Sequence, residues 1–205
     1  MARRKKLSAA QRRAQLIDVG RKAFAEKGLQ ATSVEEIATR AGVSKPIVYQ
    51  HFGGKEGLYA VVVDREMTHV VAVISEAISS GEPRERVEKA ALAFLSYVEG
   101  HPDGFAVLSH DAPVHMGRGC MSSLINDLAE RVEDVVASIL ADTGFDPKLA
   151  PIYANALVGM VSFVGQWWTE NPEHSIDVVS SHLSALAWVG LSNLPHEPQP
   201  LVLEG

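Results

Sequence analysis

The chain has 205 residues, 46% of them apolar and 21% charged, which excludes a mainly disordered protein. Its single cysteine excludes an intrachain disulfide framework and a zinc site built of cysteines alone. The formal net charge of −6 hides a segregation: residues 1–60 hold 12 Lys/Arg against 5 Asp/Glu, and residues 61–205 hold 7 against 20, so only the first third suits a polyanion.

Ala and Leu dominate and strand alternation is nearly absent, so the expected fold class is all-α. Residues 1–7 contain ARRKK, a basic arm suited to backbone or minor-groove contact with nucleic acid. A first helix is predicted from about Ala9 to Lys27, with Leu16, Val19, Ala23 and Phe24 on one face and Gly28 ending it. The next segment, residues 33–41, opens on Ser33 with Glu36 three positions later, a capping box. Its inner face is Val34, Ile37, Ala38 and Ala41, and Gly42 stops it. Ser44 is then placed to cap a third helix, KPIVYQHF, with Pro46 in the first turn.

A long helix is predicted over about Lys55 to Ser80, broken by Gly81 and Pro83, followed by one from Arg84 to Glu99. The GHPDG run at 100–104 reads as a turn and Phe105 to His110 as a short helix. Met121, Ile125, Leu128, Val132, Val135 and Ile139 then alternate spacings of 4 and 3, a continuous buried stripe. Asp146-Pro147 opens the next helix. That helix has two apolar stripes: Ile152, Ala156, Met160, Phe163 and Trp167, and then Tyr153, Leu157, Val164 and Trp168. Two apolar faces need two partners, and a second subunit is the simplest source of one of them. A last helix covers about His174 to Ser192, and the Pro-rich tail beyond it is expected to be disordered.

Leu149 to Trp168 is twenty residues without a charge, the length of a bilayer span. It contains Pro151, Tyr153, Asn155, Ser162 and Gln166, and no Lys/Arg cluster flanks it, so it reads as a helix covered by protein on both sides. No membrane partner is expected. No signal-peptide pattern is present, and the expected location is the cytoplasm.

A packing helix followed by two short helices around a tight glycine turn is the layout of a helix-turn-helix. The second short helix of such a unit enters the major groove while the first crosses the backbone. Lys45, Tyr49 and Gln50 fall on one outward face of that helix, and Val48 and Phe52 on the inward face. Thr32 and Ser33 stand at a helix N-terminus, where free N–H groups favour a phosphate, and Lys55 can neutralise another. Gln50 either bonds a base or meets phosphate and water, Tyr49 favours phosphate, and His51 either touches DNA or caps its own helix.

Residues 24–62, FAEKGLQATSVEEIATRAGVSKPIVYQHFGGKEGLYAVV, resemble the DNA-binding domain of tetracycline-repressor (TetR) family regulators. The shared pattern is G-x-x-x-T-[ST]-V-x-x-I-A, then A-G-V-S, Y-x-H-F and K-x-x-L. WVGLSNLP, residues 188–195, also resembles a common family ending. The resemblance implies about nine helices: a DNA-binding module over 1–54, a ligand-binding and dimerisation domain over 55–193 and a flexible tail over 194–205. It implies a homodimer on a palindromic double-stranded operator, usually repressing, and released when a small effector swings the fourth helix. It puts Ser44, Lys45, Pro46, Tyr49, Gln50, His51 and Lys55 at positions the family uses on DNA, and Ser33 at the phosphate position. Gly53-Gly54 departs from the usual polar pair and is expected to loosen the joint before the fourth helix.

His69, Phe94, Phe105, Met121, Met160, Phe163 and Trp167 either line an apolar effector pocket or are plain core. Tyr153, Leu157, Val164, Trp168, Leu183 and Leu186 are the expected dimer interface. His110, Asp111, His115 and Cys120 are metal-ligand types without metal-site spacing, so no metal or cofactor is expected. No G-x-S-x-G, phosphate loop, H-E-x-x-H or triad is present, and no enzyme activity is expected. A DNA-binding protein without a small-molecule effector is the alternative reading.

Overall fold

The computed structural model describes residues 7–109 and 120–195, apart from the side chains of Cys120 and Met121. The basic arm at 2–6, His110, Asp111, His115 and the tail beyond 195 lie outside the described residues. Those residues form nine α-helices and no strand. The helices are α1 (Ala9–Ala31), α2 (Val34–Ala41), α3 (Lys45–Phe52), α4 (Lys55–Ala77), α5 (Pro83–Gly100), α6 (Pro102–Ser109), α7 (Cys120–Asp142), α8 (Ala150–Glu170) and α9 (Ile176–Ser192). A 3-10 turn, Pro147–Leu149, precedes α8.

Packing divides the chain into two units, one within residues 1–70 and 100–123, the other within 71–99 and 124–205. The first unit therefore takes in the start of α4 and all of α6, whereas the sequence suggested a boundary after Gly54. The reason is the apolar face of α4. Leu58 and Tyr59 are buried, Tyr59 meeting the Phe24 ring edge-on at 5.1 Å. Gly20 on α1 leaves room for Leu58: a Cβ there would stand 2.8 Å from the Leu58 side chain.

Within the first unit, α1 opens on a capping box that the sequence reading did not pick out. Ser8 Oγ accepts from the Gln11 N–H at 3.2 Å, and Gln11 Oε1 accepts from the Ser8 N–H at 3.0 Å. The helix breaks at Gly28, as expected, and one further turn carries it to Ala31. α1 packs against both α2 and α6. α6 begins at Pro102 and not after the GHPDG run, because a proline needs no N–H partner in the first turn of a helix.

The second unit is built from most of α5 and α7, the end of α4, and all of α8 and α9. α7 buries Leu128, Val135 and Ile139 of the predicted stripe and adds a neighbouring row, Leu124, Ala129, Val136 and Leu140. Ile78, Val135, Ile139 and Leu191 form one core cluster, and Val136, Leu140, Ala150 and Ala154 a second. Asp146 caps the 3-10 turn through the Lys148 N–H at 3.0 Å, so α8 itself starts three residues later than the Asp-Pro signal suggested. Ser175 caps α9, whose first residue is Ile176. α8 has the length and hydropathy of a bilayer span, but one of its faces is packed inside this unit.

Candidate nucleic-acid interface

The geometry of α2 and α3 follows from local signals. Ser33 Oγ accepts from the Glu36 N–H at 3.1 Å and satisfies one free donor of the first turn. Gly42, at φ 64°, adopts the left-handed conformation that an L side chain disfavours, and its N–H closes α2 on Ala38 and Thr39. Two residues later α3 begins. Val48 is fully buried behind it, while Ser44, Lys45, Pro46, Tyr49 and Gln50 are exposed. Tyr49 is a large apolar ring with 53% of its surface in solvent, which needs a partner more than a core.

Three expected contact residues are engaged in holding the fold. Thr32 is buried, and its hydroxyl donates to the carbonyls of Ala23 and Gly28 at 3.2 and 2.7 Å, so it has no side chain to offer a phosphate. Lys55 Nζ donates to three carbonyls, of Leu29, Gln30 and Thr32, at 3.0–3.2 Å. Its charge sits at the C-terminal end of α1, where the helix dipole is negative. His51 is half-buried; its carbonyl accepts from Arg13 at 3.0 Å and its ring lies beside Phe52. Ser44 is the residue before α3, but its side chain makes no capping hydrogen bond.

Several residues that build this surface carried no sequence motif. Arg13 stacks its guanidinium 4.5 Å over the Phe52 ring while bonding the His51 carbonyl, tying the end of α3 to α1. Lys27, Glu36, Arg40 and Glu26 form a chain of ion pairs between α1 and α2 at 2.6–2.9 Å. Hydrogen bonding to Glu26 raises the Arg40 pKa further, and the Arg40 guanidinium holds the Glu26 carboxyl below its ordinary range. The Lys27 hydrogen bond does the same for Glu36. Glu36 therefore completes an ion-pair chain with the carboxylate that the capping-box reading gave to the helix end. Lys45 pairs with Glu35 across the two short helices.

The joint after α3 is tight. Gly53 ends α3 with its N–H on the Tyr49 carbonyl at 2.8 Å. At Gly57 a Cβ would stand 1.9 Å from the Phe52 carbonyl oxygen, so no side chain fits where α4 passes α3. At Gly53 and Gly54 themselves the requirement is conformational, since both have positive φ, 75° and 146°, and a Cβ on Gly53 would meet nothing within 4 Å.

The second unit holds an apolar cavity of about 60 Å³. Ile74, Val87, Phe94, Leu128, Val132 and Leu157 line much of it, with Ser162 and Ser184 as its polar side chains. Of the expected pocket residues, Phe94 lines this cavity. His69 and Phe105 belong to the first unit, where His69 meets the His101 ring edge-on at 4.6 Å and Phe105 is core. Met160 is half-buried on α8 and does not line the cavity. Met121 is outside the described side chains.

On α8 the two apolar faces are exchanged relative to the sequence reading. Phe163 and Trp167, expected in the pocket, point outward, Phe163 with 75% of its surface exposed. Trp168, expected at the interface, is 6% exposed and donates its indole N–H to the His174 carbonyl at 2.9 Å. Leu157 and Leu183, also expected at the interface, line the cavity, and Tyr153 packs on the core clusters. Val164 is half-buried beside Trp167 and Leu186 in a surface groove, and Leu186 is 65% exposed. The inward face is a row of small residues, Ala154, Val158, Ser162 and Gly165, that lets neighbours approach. A Cβ on Gly165 would stand 2.8 Å from the Phe94 ring. Periodicity separates the two faces of a helix; it does not say which one meets its own chain.

With this geometry in view, residues 16–62 match the family described as bacterial regulatory proteins, tetR family, and residues 73–200 match a tetracyclin repressor-like C-terminal domain. The chain is similar to the HTH-type transcriptional activator FasR of Mycolicibacterium smegmatis, 30% identical over 189 residues, covering 90% of this chain and 85% of that one. It is 23% identical to the HTH-type transcriptional repressor KstR2 of Rhodococcus jostii over 191 residues, covering 90% and 93%. Among solved structures, a TetR-like transcriptional regulator from Rhodococcus sp. RHA1 aligns with a TM-score of 0.78 at 29% identity, covering 92% of this chain and all of the other. The regulator FadR from Bacillus subtilis, solved in complex with stearoyl-CoA, shares the fold at a TM-score of 0.72 and 16% identity, covering 85% and 96%.

Proposed function

The chain belongs to the tetR family of bacterial regulatory proteins and is a DNA-binding transcriptional regulator, and from that premise we propose a homodimeric, cytoplasmic repressor that a small apolar effector releases from a palindromic operator. The observation that carries the DNA part is α3. Val48 locks one side of it into the module, while Lys45, Pro46, Tyr49 and Gln50 are exposed on the other, with Ser44 before it and Ser33 at the head of α2. These six are the proposed contact residues. His51 and Lys55 act behind them by holding α3 and α1 in place.

The effector part is supported by the chemistry of the cavity, whose lining is apolar apart from two serines; at about 60 Å³ it is well below the roughly 300–1,000 Å³ of ligand sites, so an apolar effector must widen it on entry. FadR holds a stearoyl thioester, which makes a long acyl chain the first compound class to offer. Residues 55–70 of α4 fall in the first unit and 71–77 in the second, and Ile74 lines the cavity. A ligand that favours one direction of α4 would be disfavoured by operator DNA to the same factor. The dimer part is supported by the uncovered apolar side chains Ile152, Phe163 and Trp167 on α8 and Val178, Leu186 and Val189 on α9.

Activation is the second reading, because FasR, which aligns over nine tenths of this chain, is an activator.

The test is fluorescence anisotropy of the full chain on duplex from its own upstream region, over a salt series, with and without stearoyl-CoA. Saturable binding on an inverted repeat, lost in Tyr49→Ala and weakened by the ligand, is expected. Leu186→Asp should sediment as a monomer and lose cooperative half-site binding. Equal, steeply salt-dependent binding to any sequence would overturn the regulator reading in favour of a structural DNA-binding role. Transcription from the bound promoter, higher or lower with protein present, separates activator from repressor.

A further inference from the structure

Lys45 and Glu35 form an ion pair from the first residue of α3 to the first turn of α2. Both side chains stay open, 49% and 58% exposed, so the pair closes no core. The acid is the unexpected partner. A surface that meets phosphates is weakened by a carboxylate unless that carboxylate has a donor to accept from. Carboxylate against phosphate is repulsive, so in a complex Glu35 must face Lys45, a base donor, or both.

From this juxtaposition the geometry points to Glu35 as a specificity-determining residue: the Lys45–Glu35 pair reads one G·C base pair in each half-site. Lys45 Nζ donates to guanine N7 and O6, and a Glu35 carboxylate oxygen accepts from the cytosine N4 amino group. The inference rests on the proposed placement of α3 in the major groove.

The order of charges decides which base pair fits. On the major-groove edge of G·C, two acceptors lie together on the purine and the donor lies on the pyrimidine. A cation beside an anion matches that separated edge. On A·T the donor sits between two acceptors and the edge ends in the thymine methyl, so the same pair leaves a charge facing a methyl group. Position agrees as well, because the N-terminal residues of a recognition helix are those that reach base edges, and Lys45 opens α3.

The plain alternative is that Glu35 only complements the positive end of the α2 dipole. Selection from a pool of duplexes with a randomised centre distinguishes the two. The parent chain, Glu35→Gln and Lys45→Ala are each equilibrated with the pool, and the bound DNA is sequenced. The parent is expected to select G·C at one position per half-site. Glu35→Gln should lose that preference by about tenfold, keep the preferences at other positions, and bind random duplex more tightly because a negative charge has left the face. A shift of the same position toward A·T would be a further signature, since glutamine pairs with adenine N6 and N7. Lys45→Ala should leave the slope of log K against log salt nearly unchanged; a phosphate contact would lower it by about 0.9. An unchanged motif in Glu35→Gln, with only the melting temperature moved, overturns the inference. A slope that falls by the phosphate amount in Lys45→Ala overturns it too. If the parent selects no sequence, the regulator reading itself fails.

Discussion

The α2–α3 corner and α8 differ in where their information lies. The short helices are each bounded by residues that act on their own turn: Ser33 on the Glu36 N–H, Gly42 at positive φ, Gly53 on the Tyr49 carbonyl. Their single buried faces leave no choice about orientation. α8 is bounded less sharply and is apolar on two faces, and its orientation is set by residues far away in sequence, notably Phe94 against Gly165. Short-range signals thus specified the corner, while long-range packing specified α8.

Substitutions sharpen that contrast. The largest effect is expected at the inward face of α8. Trp168→Ala removes a buried indole and its hydrogen bond and should cost about 3–5 kcal/mol, read as a large fall in the denaturation midpoint at every protein concentration. Phe163→Ala on the opposite face should change the stability of the isolated chain by less than about 0.5 kcal/mol and act on self-association. If Trp168→Ala dissociated the protein without loosening the chain, the assignment of the two faces would be reversed. In the corner, Ser33→Ala should cost about 1 kcal/mol by urea denaturation, the usual value of one N-cap. A neutral result would mean that α2 is held by tertiary packing alone.

The smallest effect concerns the exposed ion-pair chain. Glu26 and Glu36 have carboxyl pKa values held below the ordinary range by Arg40 and Lys27. A depressed carboxyl contributes stability above its unfolded-state pKa and loses it as pH falls through the folded-state value. Arg40→Gln should therefore melt slightly below the parent at neutral pH, and the two should converge in acid below about pH 4. Melting curves that stay parallel across that window would show that these surface pairs contribute nothing.

Legibility in the sequence follows the same line. The capping residues, the glycine stop and the outward face of α3 could be read directly, because each depends on residues within four positions. Thr32 and Lys55 could not: one is buried against α1 carbonyls and the other reaches back 23 to 26 residues to bond them. Polar residue type suggested phosphate, and only burial and the carbonyl positions turned both inward. Glu35 and Arg13 stood in no motif, and their partners lie on other helices.

What the sequence alone determined is the all-α class, the order of the helices, the charge split and the helix-turn-helix corner, since these rest on composition, period and local caps. Tertiary structure decided which face of α8 is core, where the first unit ends, and which polar residues are spent on the fold. The physical reason is that an apolar or polar side chain specifies the kind of partner it needs, while the partner itself is supplied by chain that is close only after folding.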